Sequence, residues 1–301
     1  MSNGGLANLG LTCGINTLIQ CIGHSTRLRE IILKEEKQEN KLTRQVSDVI
    51  RKLIIEKVSI NPAGLIQQIY RSFKGRITQF EQHDIGELWM LISDKINEEI
   101  GIKYNEPDNE IDKVIHKYNN GLKSEWTETV QGISKTTIFC KNCKNSTYNY
   151  EIYSELALDM NEIDIKYITQ LIQNLIGIEK LEDYVCDKCK CKECYKRYEL
   201  LTIPDVLILT LKRFKMTNSG FERINNGVNV PLNITMNSST KYKLIGMGNH
   251  FGNYHGGHYT ALCLNNDKWV HYDDLNIKEI EKEIFIENNK SVYMLLYEKT
   301  I

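Results

Sequence analysis

Residue types that together make a nucleophilic catalytic site occur at opposite ends of the chain. Cys13 follows a glycine-rich stretch near the start, and His258, Asp273 and Asp274 lie close together near the end. In cysteine hydrolases a thiolate attacks a carbonyl carbon, while an imidazole oriented by a carboxylate moves the proton. The set therefore predicts a thiol hydrolase whose parts meet only in the folded chain.

The residues after Cys13 predict the helix that would position its thiol. Apolar side chains recur at helical spacing from Ile15 to Ile22, and Thr12 is a candidate N-cap. Unpaired amides and the positive dipole end at a helix N-terminus favour a thiolate. Asn8 is a candidate donor to an oxyanion beside Cys13. The alternative is that Cys13 is a small buried apolar residue, the commoner role of a cysteine.

Strand-like segments near the C-terminus would bring a histidine and a carboxylate together. His258 begins one segment, and Asp273 and Asp274 end the next. Adjacent antiparallel strands would place the imidazole beside one carboxylate, which is the geometry of an oriented base. Neighbours on a regular strand point to opposite faces, so only one aspartate can face His258. His255, in the preceding loop, and His271, expected to be exposed, are the alternative bases.

Two Cys-x-x-Cys pairs in a β-rich region predict a closed structural zinc site. The first pair is Cys140 and Cys143. The second pair is drawn from four cysteines: Cys186, Cys189, Cys191 and Cys194. Four thiolates within tetrahedral reach bind one zinc ion. No histidine lies near either pair, so an open catalytic zinc is not expected; the alternative is a set of scattered reduced cysteines.

The composition is that of a globular chain. Of 301 residues, 41% are hydrophobic and 26% are charged, with a formal net charge of −1. That charge offers no attraction to nucleic acid, and no apolar run approaches the roughly 20 residues of a membrane helix. We therefore expect neither nucleic acid nor a membrane as partner. The absence of a signal-peptide pattern and the zinc-like use of cysteine predict an intracellular location, in the cytoplasm or nucleus.

Helical periodicity dominates the N-terminal third and strand-like alternation most of the remainder. The predicted helices are residues 42–57, a segment with Asn61 as N-cap and Pro62 in the first helical position, residues 82–100 and residues 165–176. Residues 103–120 are predicted to be a connecting loop. The predicted strands are residues 136–139, 148–152, 206–211, 242–247, 258–264, 269–272 and 292–297. This order predicts the α+β class.

Five ordered segments resemble the ubiquitin-specific proteases, which are papain-like deubiquitinating enzymes. The cysteine box is matched at Gly5-Leu6, Asn8 to Gly10, Thr12-Cys13, Asn16 and Leu18 to Gln20. The other segments are Gln82 to Leu88, the cysteine pairs, Pro204 to Phe214 and the histidine box from His250 to Asp274. One departure stands out, because the family usually has an aromatic residue directly after the cysteine and this chain has Gly14.

The resemblance implies a single catalytic domain with a papain-like right-hand fold. A helical thumb would span about residues 1–120, zinc-bearing β fingers about 121–203 and a β palm about 204–301. The cleft between thumb and palm would hold the C-terminus of ubiquitin. Ubiquitin and ubiquitinated proteins are the implied partners, and structural zinc is the implied cofactor.

The resemblance also implies the activity and the catalytic roles. The reaction would be hydrolysis of the peptide or isopeptide bond after the C-terminal glycine of ubiquitin. Cys13 would be the nucleophile, His258 the base and Asp273 its orienting carboxylate. Asn8 and the Cys13 amide would stabilise the oxyanion, with Asp274 as a second acidic residue on the oxyanion side.

Substrate contacts follow from the same resemblance. Asp84 and Glu87, three residues apart and so on one helix face, would hold the arginines of the ubiquitin tail. Gln82, Gly257 and Tyr259 are further implied substrate contacts.

For the metal, the resemblance selects Cys186 and Cys189 as the second pair. The family's second pair comes just after an aromatic residue, here Tyr184. With Cys140 and Cys143 they make the implied zinc ligands.

Two other classes of function stay open on the sequence. Because Gly14 departs from the family pattern, a ubiquitin-binding pseudoenzyme with this fold is one alternative. The presence of Cys13, His258 and Asp273 argues against it. A zinc-structured adaptor for another partner is the second. Reaction with ubiquitin that carries a C-terminal electrophile separates an enzyme from both.

Overall fold

A computed structural model describes residues 4–35, 37, 39, 41–160, 167–218, 220–237, 239–254 and 256–300. Within them the helices are α1 Cys13–His24, α2 Thr26–Lys34, α3 Lys41–Ile50, α4 Ala63–Ser72, α5 Ile85–Ile100, α6 Glu110–Tyr118, α7 Glu125–Val130, α8 Ile168–Leu175 and α9 Glu283–Ile286. A π-helical turn, Arg51–Ile55, continues α3.

The strands of the described residues make an eight-stranded sheet, a four-stranded sheet and two two-stranded sheets. They are β1 Ile102–Lys103, β2 Leu122–Lys123, β3 Gly132–Cys140, β4 Ser146–Tyr153, β5 Leu156–Asp159, β6 Ile178–Lys180, β7 Cys194–Thr202, β8 Val206–Lys212, β9 Phe214–Thr217, β10 Gly220–Arg223, β11 Asn233–Met236, β12 Thr240–Asn253, β13 Gly256–Asn265, β14 Lys268–Asp273, β15 Asn276–Ile280 and β16 Val292–Lys299.

The larger sheet has the order β15-β14-β13-β12-β16-β8-β5, and β11 pairs with β12. Its neighbours are antiparallel except β5 and β8, which are parallel. The smaller sheet is antiparallel with the order β4-β3-β7-β6. The two-stranded sheets are β1-β2 and β9-β10. Most helices lie in the N-terminal part of the chain and most strands, largely antiparallel, in the rest, so this is an α+β fold, which confirms the predicted class.

Helix α1 lies between the other N-terminal helices and the large sheet. Every one of its residues is buried, because it packs against α2, α3 and α5 on one side and against β12 and β13 on the other. One apolar core fills this interface and includes Trp89 and Trp126; the opposite face of the sheet carries a second core that includes Tyr242 and Tyr297. The helix that begins at Cys13 is therefore held rigidly beside the strand that carries His258.

The predicted start of helix α5 is wrong. Helix α5 begins at Ile85 rather than at residue 82, because the Asp84 carboxylate accepts hydrogen bonds from the amides of Gly86 (2.8 Å) and Glu87 (3.1 Å) and so caps the helix.

Helix α4 begins one residue later than predicted. Pro62 holds the N-cap position instead of the first helical position. Asn61 still supports this end, because its Oδ1 accepts a hydrogen bond from the Ala63 amide at 3.0 Å.

The segment predicted as a connecting loop, residues 103–120, contains helix α6. Asn109 caps it by accepting a hydrogen bond from the Asp112 amide at 2.8 Å. None of its residues is fully buried, although Ile111, Val114, Ile115 and Tyr118 recur at helical spacing in the sequence. Residues 165 and 166 of the predicted 165–176 helix lie outside the described residues, and α8 occupies most of the rest.

The predicted strand segments all lie in observed strands, namely β3, β4, β8, β12, β13, β14 and β16. The residue limits proposed for thumb, fingers and palm stay predictions. The smaller sheet lies inside residues 121–203, but β5 from the same interval pairs with β8 of the larger sheet. Among the described residues, no helix combines the length and the apolar composition needed to cross a bilayer.

Candidate active site

Cys13 is the first residue of α1 and is 3% exposed. Thr12 holds the N-cap position, as predicted, but its hydroxyl does not cap the helix. Instead Thr12 Oγ1 accepts a hydrogen bond from the Leu9 amide (3.0 Å) and donates to Asn8 Oδ1 (3.2 Å). Thr12 thus fixes the conformation of the segment that precedes the helix. No side-chain oxygen caps the positive N-terminal end of the helix dipole beside the Cys13 thiol.

Asn8 is held by partners on both sides of its side-chain amide. Its Oδ1 accepts hydrogen bonds from Thr12, and its Nδ2 donates to Asp274 Oδ2 at 2.9 Å. The other oxygen of Asp274 accepts a hydrogen bond from Asn16 Nδ2 at 2.8 Å. Asp274 therefore joins Asn8 to the helix that carries Cys13.

His258 and Asp273 form a hydrogen-bonded pair. His258 Nε2 lies 2.6 Å from Asp273 Oδ1. Strands β13 and β14 pair through Ala261 and Tyr272, so Asp273 comes one residue beyond that pair and lies diagonally across from His258 on one face. The structure brings together the two residues that the sequence paired.

The two neighbouring aspartates have different partners because the strand ends between them. β14 stops at Asp273, and Asp274 has a φ of 53°. This left-handed conformation turns the Asp274 carboxylate away from the strand and towards Asn8 and Asn16. A regular strand would have allowed only one of them to reach the site.

Gln82 lies directly on the thiol. Its Nε2 donates hydrogen bonds to Cys13 Sγ at 3.2 Å and to Gly257 O at 3.0 Å. Gly257 immediately precedes His258, so the Gln82 amide connects the cysteine to the strand of the histidine. The sequence indicated Gln82 and Gly257 as substrate contacts but contained no signal for a bond between Gln82 and the sulfur.

Gly14 lies where only a very small side chain would fit. A Cβ at this position would lie 3.3 Å from His83 O, and 3.4 Å from Leu88 Cδ1 and from Tyr259 Cδ2. The segment before α5 therefore packs directly onto the first turn of α1. Without a side chain at position 14, this segment can approach Cys13 closely.

Asp84 is the N-cap of α5 and Glu87 lies in its first turn, so their predicted common face at this end of the helix stays a prediction. Asp84 is exposed and accepts a hydrogen bond from the Tyr293 hydroxyl through Oδ2. Glu87 Oε1 lies 3.1 Å from Arg76 Nε. Behind them, burial raises the pKa of Glu155 to about 7, with the charge of Asp84 adding to the effect.

Tyr259 is 4% exposed, so its ring lies beneath the site. Its role as a substrate contact stays a prediction. Beside it, burial and the charge of Arg223 lower the pKa of His250 to about 4. The guanidinium of Arg223 donates to His250 Nδ1 at 2.7 Å, so this nitrogen is the acceptor and the ring is neutral.

Of the two alternative histidines, the structure describes only His271. His271 is half-buried rather than exposed, because β13 and β15 flank it, and burial lowers its pKa. His255 lies outside the described residues. Sequence reasoning did not assign roles to Asn16, Arg223, Tyr293 and Glu155; Asn16 belongs to the cysteine box, whereas the other three had no signal.

Four cysteines form a cluster that can hold a metal ion. The sulfur atoms of Cys140, Cys143, Cys186 and Cys189 all lie within 4.8 Å of one another. Cys140 Sγ is 3.6 Å from Cys189 Sγ, and Cys143 Sγ is 3.6 Å from Cys186 Sγ. Four thiolates at about 2.3 Å from one tetrahedral zinc ion would be separated by about 3.8 Å, so the cluster fits this ion.

The two cysteine pairs have the same backbone turn. The Lys144 amide bonds Cys140 O at 3.0 Å and the Lys190 amide bonds Cys186 O at 2.9 Å. Both lysines have φ close to 60°.

The other two cysteines of this region, Cys191 and Cys194, are not part of the four-cysteine cluster. Cys191 contributes its carbonyl to the Cys186 amide at 2.9 Å, and its sulfur accepts from the Glu193 amide at 3.3 Å. Cys194 is buried in β7 opposite Cys140. The cluster therefore contains the second pair that the resemblance selected.

Comparison with known proteins agrees with this arrangement. The family model described as ubiquitin carboxyl-terminal hydrolase matches residues 4–297, so the chain belongs to this family. It is 26% identical over 328 residues to ubiquitin carboxyl-terminal hydrolase Usp2 of Drosophila melanogaster, covering 98% of this chain and 35% of that protein. It is 24% identical over 350 residues to the Homo sapiens ubiquitin carboxyl-terminal hydrolase 21, covering 98% and 61%.

Solved structures show the same fold. A yeast SAGA DUB module superimposes with a TM-score of 0.81 at 21% identity, covering 99% of this chain and 68% of that one. A SAGA DUB module that contains Ubp8 and is bound to monoubiquitin gives a TM-score of 0.80 at 20% identity, with 99% and 69% covered. The chain spans only 35% and 61% of the two curated relatives named above.

Proposed function

We propose that this protein is a thiol-dependent deubiquitinase that hydrolyses the peptide or isopeptide bond after the C-terminal glycine of ubiquitin. The observation that carries the proposal is the 2.6 Å contact between His258 and Asp273 on the sheet that packs against the helix of Cys13. An imidazole oriented by a carboxylate beside a helix-terminal thiol is the arrangement of a cysteine hydrolase. Membership of the ubiquitin carboxyl-terminal hydrolase family supports the same reaction.

In the first half of the proposed reaction, His258 removes the thiol proton and Cys13 Sγ bonds to the carbonyl carbon of the terminal glycine. The carbonyl oxygen becomes an oxyanion. As the C–N bond breaks, His258 returns the proton to the leaving lysine amine, and a thioester remains. Asp273 stabilises the imidazolium that exists between the two proton transfers.

In the second half, His258 takes a proton from water, whose oxygen attacks the thioester carbon. The C–S bond breaks, and the proton returns to the sulfur of Cys13. The products are ubiquitin with a free C-terminal carboxylate and the regenerated thiol. Water is the only further reactant.

Oxyanion stabilisation is proposed for Asn8 and for the backbone amide of Cys13. One N–H of the Asn8 amide bonds Asp274, and the other is the proposed donor to the oxyanion. Asp274, itself held by Asn16, keeps Asn8 from rotating. Donors fixed in advance stabilise developing charge without reorganisation, and loss of one costs about 10²–10³ in kcat.

The ubiquitin tail is proposed to lie along the start of α5, with its arginines paired to Asp84 and Glu87. Asp84 is exposed while its other contacts hold it in place, and Glu87 would exchange Arg76 for a tail arginine. Gln82 and Gly257 lie beside Cys13 and are proposed contacts of the last tail residues. Charge-assisted pairs of this kind are the stronger hydrogen bonds in proteins.

Zinc is the proposed metal of the four-cysteine cluster. The thiolates of Cys140, Cys143, Cys186 and Cys189 would fill all four positions of the ion, so its role is structural. When bound, it links the β3–β4 turn to the segment before β7. A zinc site of this kind requires reduced thiols, which supports an intracellular location, in the cytoplasm or nucleus.

The decisive experiment is reaction with ubiquitin that carries a C-terminal electrophile. We expect one covalent adduct, located at Cys13 by peptide mass spectrometry, together with turnover of a fluorogenic ubiquitin C-terminal amide. Cys13→Ala should abolish both, whereas Cys21→Ala on the same helix should abolish neither. Binding of ubiquitin without adduct or turnover would instead identify a pseudoenzyme, and absence of binding would favour an adaptor for another partner.

A further inference from the structure

Gln82 uses both of its N–H groups at the nucleophile. The side-chain nitrogen lies 3.2 Å from Cys13 Sγ and 3.0 Å from Gly257 O. A primary amide has two N–H donors in one plane, so one can point at the carbonyl and the other at the sulfur. In this contact the sulfur is the acceptor.

A sulfur that accepts a hydrogen bond is better matched to the thiolate than to the thiol. Bonds to an ionised acceptor are roughly twice as strong as those between neutral groups. Cys13 is 3% exposed, so little water can solvate its charge. The Gln82 amide replaces part of that missing solvation.

The backbone around Gln82 is held in place by its neighbours. The ring nitrogen Nε2 of His83 lies 3.0 Å from the Thr78 amide and 2.8 Å from the Thr78 carbonyl oxygen. Asp84, the next residue, caps α5. Gln82 therefore extends from an ordered turn, and its amide need not be ordered anew when the substrate binds.

Gly14 makes this close approach possible. The His83 carbonyl lies 3.3 Å from the site of a Cβ at position 14, so a large side chain there would displace the turn that carries Gln82. The departure from the family's aromatic residue and the contact between Gln82 and Cys13 are thus parts of one local arrangement.

We infer that Gln82 is a further catalytic residue, whose amide stabilises the Cys13 thiolate and fixes it relative to the strand of His258 through Gly257. This inference deepens the proposed function and rests on it. It differs from a role in which Gln82 only contacts the ubiquitin tail, because it acts on the sulfur when no substrate is bound.

The first test measures the reactivity of the Cys13 thiolate without ubiquitin. Iodoacetamide alkylates a thiolate with loss of iodide, and mass spectrometry of the Cys13 peptide separates this sulfur from the other cysteines. At neutral pH we expect Gln82→Ala to slow alkylation of Cys13 about tenfold, because a bond to a charged group is lost. Gln82→Glu keeps the size but presents a carboxylate, so it should be at least as slow. Gln79→Ala, an exposed glutamine of the same segment, should react as the unaltered protein does.

The second test separates catalysis from binding. For the fluorogenic ubiquitin amide we expect Gln82→Ala to lower kcat about tenfold or more. Ubiquitin affinity, measured in a Cys13→Ala background, should fall less than kcat does, because in that background only the proposed tail contact of Gln82 is lost and the sulfur is absent.

Two results would overturn the inference. Unchanged alkylation with weakened ubiquitin binding would make Gln82 a tail contact only. Faster alkylation in Gln82→Ala would make it a shield over the thiol. If the unaltered protein does not turn over ubiquitin at all, the proposed function fails, while the alkylation result still reports whether Gln82 stabilises the thiolate.

Discussion

His258 and Asp273 meet through Nε2 and Oδ1, 2.6 Å apart, at the end of two neighbouring strands. Because the carboxylate occupies Nε2, the other ring nitrogen, Nδ1, is the one proposed to exchange protons with Cys13. In a neutral imidazole one nitrogen carries the proton and the other accepts. The Asp273 carboxylate can only accept, so it selects the tautomer with Nε2–H and leaves Nδ1 as the base.

This contact predicts different defects for the two aspartates. Asp273→Ala should lower kcat for a ubiquitin C-terminal amide about 10³-fold or more, because the base loses its orientation and its charge partner. Asp274→Ala should lower it about 10²-fold, because Asn8 is released. Ubiquitin affinity, measured by titration in a Cys13→Ala background, should stay nearly constant in both. A crippled Asp274→Ala beside an almost fully active Asp273→Ala would reverse the roles.

Position 14 should tolerate one methyl group but not a ring. Gly14→Ala adds a Cβ at 3.3–3.4 Å from three neighbours, a contact that shifts of a few tenths of an ångström can relieve. Gly14→Phe should destabilise the fold by about 1–3 kcal/mol through overpacking, and iodoacetamide should then alkylate Cys13 more slowly, as in Gln82→Ala. Denaturant unfolding and the alkylation rate check the two effects. An equally stable and equally reactive Gly14→Phe protein would show that the turn moves freely.

The metal cluster predicts about one zinc ion per chain in protein purified without chelator. Cys140→Ser should lose the metal and expose the β3–β4 region to protease, because metal binding contributes to folding. Cys191→Ser is the matched control and should keep both metal and protection, since its sulfur lies outside the cluster. Elemental analysis that finds no zinc in the unaltered protein would contradict the assignment.

Asp84→Asn should weaken ubiquitin binding without lowering the stability of the fold. Asparagine caps helices about as well as aspartate, so the Tm should change little. Ubiquitin binding in a Cys13→Ala background should weaken about tenfold or more, because a charge-assisted bond to a tail arginine is lost. Glu98→Gln, near the other end of α5, is the control for charge alone. Unchanged affinity in Asp84→Asn would remove this residue from the tail site.

His24 predicts acid sensitivity of the fold. Its Nδ1 lies 2.8 Å from Gln20 O and must donate to it, so Nε2 accepts from the Tyr272 hydroxyl at 3.0 Å. Burial lowers the pKa of His24 from 6.5 to about 4. The unfolded state therefore binds more protons than the folded state between these values, and the free energy of unfolding should fall as the pH drops from about 6.5 to about 4.

Denaturant titrations at several pH values measure this dependence. His24→Asn should be less stable at neutral pH, yet its stability should fall less steeply between pH 6.5 and pH 4. His116, half-buried on α6, offers a control in His116→Asn, which should keep the steep dependence. Parallel pH profiles for the unaltered protein and His24→Asn would contradict the prediction.

Much of this architecture can be predicted from local patterns. The helix after Cys13, the strands that carry His258 and Asp273, and the four cysteines each have signals within a short stretch, because periodicity and Cys-x-x-Cys spacing are local properties. Helix α6 was predicted as a loop because residues 103–120 are mostly polar, although Ile111, Val114, Ile115 and Tyr118 have helical spacing; none of them is fully buried.

The contacts at the site depend on where separate elements end and pack. Strand parity left the choice between Asp273 and Asp274 open, and the end of β14 with a φ of 53° at Asp274 allows both to reach the site. Gln82 and Cys13 are 69 residues apart, and their bond exists because α5 begins only at Ile85 and Gly14 admits the preceding turn. Such contacts have no sequence period, since long-range packing creates them, and only the tertiary structure reveals them.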